Sequence, residues 1–286
     1  MSISGGLPRA LERGRTLGCN TVQFFLKNAR SWRSRVLDDG ERGEFLMLKD
    51  RLGLEPLIAH CSYLINIASP NPSLYERSIE ALREELLRTQ ALGIPYYVLH
   101  PGSPTGTGEQ EGLYRIARAL NLLLQDLQGV MVLLETTARG IGSRFENFAR
   151  ILEMLEEEQK VGICIDTCHL WVAGYDIADP RGYEETLKEL DDLIGLEKLK
   201  VVHLNDSKAP RGSGRDRHEH IGFGKLGPEP FRWLLQDERL KELPFIIETP
   251  KGVTPEGEDW DEVNLRILRS LEGEDEDKGD SGGYRP

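Results

Sequence analysis

Six apolar runs in this chain finish in a residue that can hold a metal or move a proton. Ile58-Ala59 ends in His60, Tyr96 to Leu99 in His100, and Met131 to Leu134 in Glu135. Val161 to Ile165 ends in Asp166, with His169 close behind. Val201-Val202 runs into His203, and Phe245 to Ile247 into Glu248. Asp216 and His218 lie in a basic loop after the run of His203. Imidazole and carboxylate are common ligands for divalent ions. A carboxylate that follows an apolar run is costly to bury unless it is paired or bound to a cation. One histidine alone reads as a satisfied core or surface residue, but the set of five histidines and four carboxylates points to metal. A zinc ion takes about four ligands, so nine with a shared carboxylate suggest two or three ions. Several ions close together clamp an in-line displacement at phosphorus, which favours phosphate-ester hydrolysis over acyl transfer. No Walker motif competes.

Strands must deliver these groups. The apolar runs predict seven strands: 21–26, 54–60, 96–99, 130–136, 161–166, 199–204 and 245–248. They alternate with eight predicted helices, at about 8–17, 44–52, 73–92, a stretch ending at Leu127, 144–157, 182–194, 230–236 and 261–271. Short continuous apolar strands suit a parallel sheet covered on both faces. Ligands at six strand ends favour a ring over an open sheet, because only a ring brings those ends together. The expectation is an α/β fold, a TIM-type (β/α)8 barrel lacking its first strand, with the metal site at its C-terminal face. Residues 1–271 form the single barrel domain, and 272–286 an acidic, disordered tail.

The 286 residues suffice for a large core. No apolar run approaches the length of a membrane span and the N-terminus has no leader-like apolar stretch, so a cytoplasmic protein that avoids membranes is expected. The four cysteines, Cys19, Cys61, Cys164 and Cys168, read as reduced thiols. Cys168, beside His169, has the chemistry of a ligand, but the cluster is already well supplied. The net charge of −12 argues against a protein that coats nucleic acid. Two features weaken that objection. The tail holds Glu272, Glu274, Asp275, Glu276, Asp277 and Asp280 against Lys278 and Arg285, and bound cations would offset the cluster's own carboxylates.

The stretches SISGGL, KNARSW, HCSYLINIASP, HPGS, LLET, GICIDTCHLWVAGYD, HLNDSK, GSGRDRHEHIGFG and IIETP resemble the endonuclease IV family of apurinic/apyrimidinic endonucleases over about residues 2–271. The resemblance implies a monomeric DNA-repair enzyme holding three zinc ions. It implies cleavage of double-stranded DNA 5′ to an abasic site, leaving a 3′-hydroxyl and a 5′-deoxyribose phosphate. Carried over, His60, His100 and Glu135 match one ion's ligands. Glu135, Asp166, His203 and Glu248 match a second, with Glu135 bridging and catalytic, and His169, Asp216 and His218 match the third. His220 matches none and reads as structural or substrate-near. Arg30, Tyr63 and Leu64 match positions that enter the minor groove and hold the damaged nucleotide out of the stack, a task suited to an apolar wedge and an arginine. Lys208, Arg211, Arg215 and Arg217 lie near the metal loop and could neutralise phosphates, with Arg217 the expected DNA contact. In the family a strand carrying Gly-x-His precedes SISGGL. The expectation is therefore that the natural chain begins about ten residues upstream of Met1, so that the barrel regains its eighth strand.

Two rival functions remain at this level. One is a sugar isomerase or epimerase resembling the xylose isomerase family, which needs fewer histidines and no third site. The other is a lesion-binding protein without activity, which has no need for a bridging carboxylate such as Glu135.

Overall fold

A computed structural model describes residues 1–273. Seven parallel strands form one sheet: β1 (Val22–Phe25), β2 (Leu57–His60), β3 (Tyr96–Leu99), β4 (Met131–Glu135), β5 (Val161–Asp166), β6 (Leu199–His203) and β9 (Phe245–Ile246), paired in that order. Two short strands, β7 (Asp206–Ser207) and β8 (His218–Glu219), make a separate antiparallel pair. The helices are α1 (Leu7–Thr16), α2 (Asp39–Leu52), α3 (Pro72–Ala91), α4 (Glu109–Leu124), α5 (Phe145–Glu153), α6 (Thr167–Ala173), α7 (Pro180–Leu193), α8 (Glu229–Gln236) and α9 (Trp260–Glu272). The strand–helix alternation wraps the sheet into a nearly closed TIM barrel with one strand fewer than eight.

Strand alternation divides the core. Ile58, Val98, Leu133, Cys164, Val201 and Ile246 pack together inside the sheet. Their neighbours, including Ala59, Tyr97, Leu99, Val132, Leu134, Ile163 and Val202, belong to the larger cluster shared with the helices. Side chains of successive strand residues point to opposite faces, so a continuous apolar strand fills both layers.

The sheet does not close by backbone pairing among the described residues. β1 and β9 are its two ends. A cavity of about 420 Å³ lies between them, its lining including Val22, Gln23, Phe24, Phe245, Ile246 and Glu248. The Met1 amino group donates to the Gln23 carbonyl at this opening.

Several boundaries differ from the sequence reading. α2 starts at Asp39 rather than near Glu44, because the Asp38 carboxylate accepts the Glu41 N–H and caps a segment whose Gly40 and Gly43 hide its helical character. Helix α6 was not expected. It begins where β5 ends, with Asp166 as its cap. β9 stops at Ile246 and not at Glu248, having only β6 to pair with. Glu272, assigned to the acidic tail, is the last residue of α9. The rest of that tail, 274–286, lies outside the described residues. No described helix is long and apolar enough to cross a membrane.

Candidate metal centre

Each residue of the inner apolar layer is followed two positions later by a candidate ligand: Ile58 by His60, Val98 by His100, Leu133 by Glu135, Cys164 by Asp166, Val201 by His203 and Ile246 by Glu248. The period of two sends both members of each pair to the same face. The polar groups therefore form a second layer on the apolar one, at the C-terminal ends of the strands, where parallel barrels bind their ligands.

Glu135 is fully buried at the centre. Its Oε2 lies 3.0 Å from His60 Nε2 and 2.8 Å from His100 Nε2. Its Oε1 lies 3.1 Å from His203 Nδ1. The same nitrogen is 3.8 Å from Asp166 Oδ2 and 3.5 Å from Glu248 Oε2. Farther out, Asp216 places Oδ2 3.3 Å from His169 Nε2 and Oδ1 3.2 Å from His218 Nε2. The nine residues fall into three groups: His60, His100 and Glu135; Glu135, Asp166, His203 and Glu248; and His169, Asp216 and His218. Within each, one donor atom per residue lies within 4.8 Å of the others.

The ring orientations are set from behind. A carbonyl can only accept, so His60 Nδ1 carries a proton toward the Cys61 carbonyl at 2.9 Å. His169 Nδ1 does the same toward Thr136 at 2.8 Å, and His218 Nδ1 toward Glu248 at 3.0 Å. All three then turn Nε2 inward. Such backing bonds are the usual outer support of metal-bound imidazoles. Asp166 Oδ1 accepts the His169 N–H at 2.9 Å, so the cap of α6 fixes a carboxylate and an imidazole together.

Burial opposes charge on the His169 ring, but Asp166, Asp216 and Glu135 outweigh it and raise its pKa to about 9. His218 is pushed up to about 10 against its burial by Asp166, Asp216 and Glu248. Asp216 is held well below the usual carboxylate range; burial resists this, and the His169 and His218 rings 3.3 and 3.2 Å away impose it. The centre is a buried anionic field that favours positive charge. Divalent cations fit it. The donors are nitrogen and carboxylate oxygen, and His218 Nε2 is buried yet makes no hydrogen bond among the described residues. Cys168 Sγ also approaches Asp166 and His218. Burial and then Asp166 push its pKa up to about 12, so at neutral pH it remains a thiol.

The remaining candidates lie around this centre. Tyr63 is 61% exposed, with its ring edge-on to Phe25 at 5.2 Å. Its N–H donates to the Ala29 carbonyl at 2.9 Å, tying its loop to the one that carries Arg30. Arg30 is exposed and Leu64 half-buried. Arg217 is exposed between Asp216 and His218. Arg211 is ion-paired to Asp176, and Lys208 lies 3.7 Å from Glu219, so neither is a free cation. His220 stacks on Trp260 at 3.7 Å and receives the Asn264 amide at 3.1 Å, which is a packing role.

The sequence reading missed four buried polar residues. Gln23 touches His203 and Glu248. Asn205 touches Asp166 and the Glu248 backbone. Asp206 accepts the N–H groups of Ser207, Gly222, Gly224 and Leu226 and so anchors the loop after β8. Glu85 binds Lys27, Ser62 and Tyr97 behind the His60 loop. Gln23 alone left a signal, as an amide inside the apolar run VQFF.

Residues 11–271 match the family described as "Xylose isomerase-like TIM barrel". A protein of Chloroflexus aurantiacus named "Probable endonuclease 4" is 48% identical over 276 residues, covering 95% of this chain and 96% of that one. The crystal structure of endonuclease IV from Thermus thermophilus superposes with a TM-score of 0.83 at 36% identity, covering 96% of this chain and 97% of that one. A D-tagatose 3-epimerase-like protein superposes with a TM-score of 0.66 at 20% identity, a likeness of fold alone.

Proposed function

The chain belongs to the endonuclease IV family, and from that premise we propose that it is a DNA-repair endonuclease acting, as a monomer, on duplexes with abasic sites. It hydrolyses the phosphodiester 5′ to the lesion and leaves a 3′-hydroxyl and a 5′-deoxyribose phosphate. The observation that carries this reading is Glu135, whose two oxygens each face a different set of imidazoles among nine ligand-type side chains.

His60, His100 and Glu135 would hold one zinc ion, Glu135, Asp166, His203 and Glu248 a second, and His169, Asp216 and His218 a third. When bound, such ions supply Lewis-acid charge to a phosphoryl oxygen and to an attacking water. The protein's own groups do the rest. Glu135 holds two ligand groups at a fixed separation from a fully buried position. The carbonyls of Cys61, Thr136 and Glu248 hold three rings in one tautomer. Exposed Tyr63 and half-buried Leu64 present the wedge, and Arg30, on the loop tied to theirs, fills the gap left by an unstacked nucleotide. Arg217 places its charge beside Asp216, where a phosphate would lie.

Cleavage of a labelled abasic duplex and of its intact counterpart tests the proposal, each with stripped and zinc-reloaded protein. The expected result is a chelator-sensitive nick at the abasic strand only, with a 3′ end that a polymerase extends directly. Retention of the duplex without a nick would favour a lesion binder. A chelator-resistant nick with a blocked 3′ end would overturn the hydrolytic reading.

A further inference from the structure

Gln23 lies on β1, paired in register with Ile58 of the inner layer, and is almost fully buried. An amide there is unfavourable unless both of its ends are bonded. Both are. Nε2 lies 2.7 Å from Glu248 Oε1, and Oε1 lies 2.9 Å from His203 Nε2. These two bonds reach across the opening between β1 and β9, where no backbone ladder runs among the described residues.

Charge decides which way the amide points. An ionised Glu248 carboxylate can only accept, so it must face the NH2 group. The amide oxygen then faces His203 and can only accept, so His203 Nε2 must carry the proton. The lone pair of the neutral ring is left on Nδ1, the nitrogen that faces Glu135, Asp166 and Glu248. His60, His169 and His218 are oriented the other way round, through Nδ1 and a carbonyl. His203 has its backing from a side chain on a different strand.

We infer that Gln23 is a positioning residue that fixes the tautomer of His203 and leaves Glu248 Oε2 for a cation, locking the second ligand group across the open side of the barrel. This rests on the reading of that group as a metal site. Gln23→Met keeps the length and removes both bonds. Gln23→Glu, when ionised, keeps an acceptor for His203 but cannot donate to Glu248, so it separates the two halves of the effect.

Two measurements test it. The first is zinc retention against a competing chelator. Gln23→Met should hold one of its ions about 10–100-fold more weakly, the usual effect of losing an outer partner of a ligand. Gln23→Glu should fall between Gln23→Met and the unmodified chain. The second is ring 15N NMR of His203 in stripped protein, at a pH high enough for the ring to be neutral. The unmodified chain and Gln23→Glu should show the proton on Nε2, and Gln23→Met a mixture. Unchanged retention together with an unchanged tautomer in Gln23→Met overturns the inference. Should Gln23→Met fail to fold, a wild-type value of zinc retention in Gln23→Glu overturns it. The NMR arm contains no metal, so an unmodified chain that binds no zinc would sink the metal reading while Gln23 is still judged by the tautomer.

Discussion

The Asn205 side-chain amide donates to Asp166 Oδ2 at 2.6 Å, while its oxygen accepts the Glu248 N–H at 2.7 Å. Asn205 lies two residues beyond the end of β6 and is fully buried. One side chain thus fixes a carboxylate at the end of β5 and the backbone of another beyond β9. Three strand ends are held in register without any ligand.

Asn205→Ala should break this link at both ends. The orphaned Glu248 N–H costs about 1–3 kcal/mol, which thermal unfolding would register as a lower midpoint. Asp166 loses the bond that orients it, and zinc retention should fall about 10–100-fold. Wild-type retention in chelator competition would show that Asp166 needs no such support.

Glu135→Gln should bind abasic duplex with nearly the affinity of the unmodified chain and lose almost all cleavage. The amide preserves shape but removes the negative charge that both ligand groups share at Glu135. Gel-shift and single-turnover assays separate the two effects. Near-normal turnover would remove Glu135 from its central role.

The inner and outer layers of the barrel were legible because apolar runs and their chemical endings are strong local signals. His60, Glu135, Asp166 and His203 stand at their strand ends as the pattern implied. What the pattern hid is of two kinds. Helix α6 is too short to show a period, and only its cap at Asp166 marks it. Asn205, Asp206 and Glu85 have no characteristic spacing, since their partners come from elements far away in the chain. A buried polar side chain is explained by its partners, and those become visible only once the chain has folded.

Lys27 and Glu85 form a buried ion pair at 3.1 Å, and Glu85 also accepts from Ser62 Oγ at 2.6 Å and Tyr97 OH at 2.6 Å. Through Glu85 on α3, the pair and the Ser62 bond link the loop of Arg30 to that of Tyr63. Breaking it from one side leaves a buried charge alone, so Glu85→Gln should destabilise by about 3–5 kcal/mol. Adding Lys27→Met should restore much of the loss. Purely additive effects in denaturant melts of the double variant would mean that the two charges are not coupled.

His169 titrates at about 9 and His218 at about 10, both above the ordinary value of 6.5. In stripped protein the protonated rings stabilise the fold. That contribution is complete below about pH 6.5 and fades as pH rises through 9 and 10. Asp216 acts with the opposite sign, but its depressed pKa confines its change to acid, below the usual carboxylate range. Between pH 7 and 9 the melting temperature of stripped protein should therefore fall through these two rings. Zinc must displace their protons, so its affinity for the His169–Asp216–His218 group should rise over the same range. The gap between loaded and stripped melting temperatures should widen with pH, and should widen less in His169→Ala. A gap that stays constant from pH 7 to 9 would mean that cations and protons do not compete for these rings.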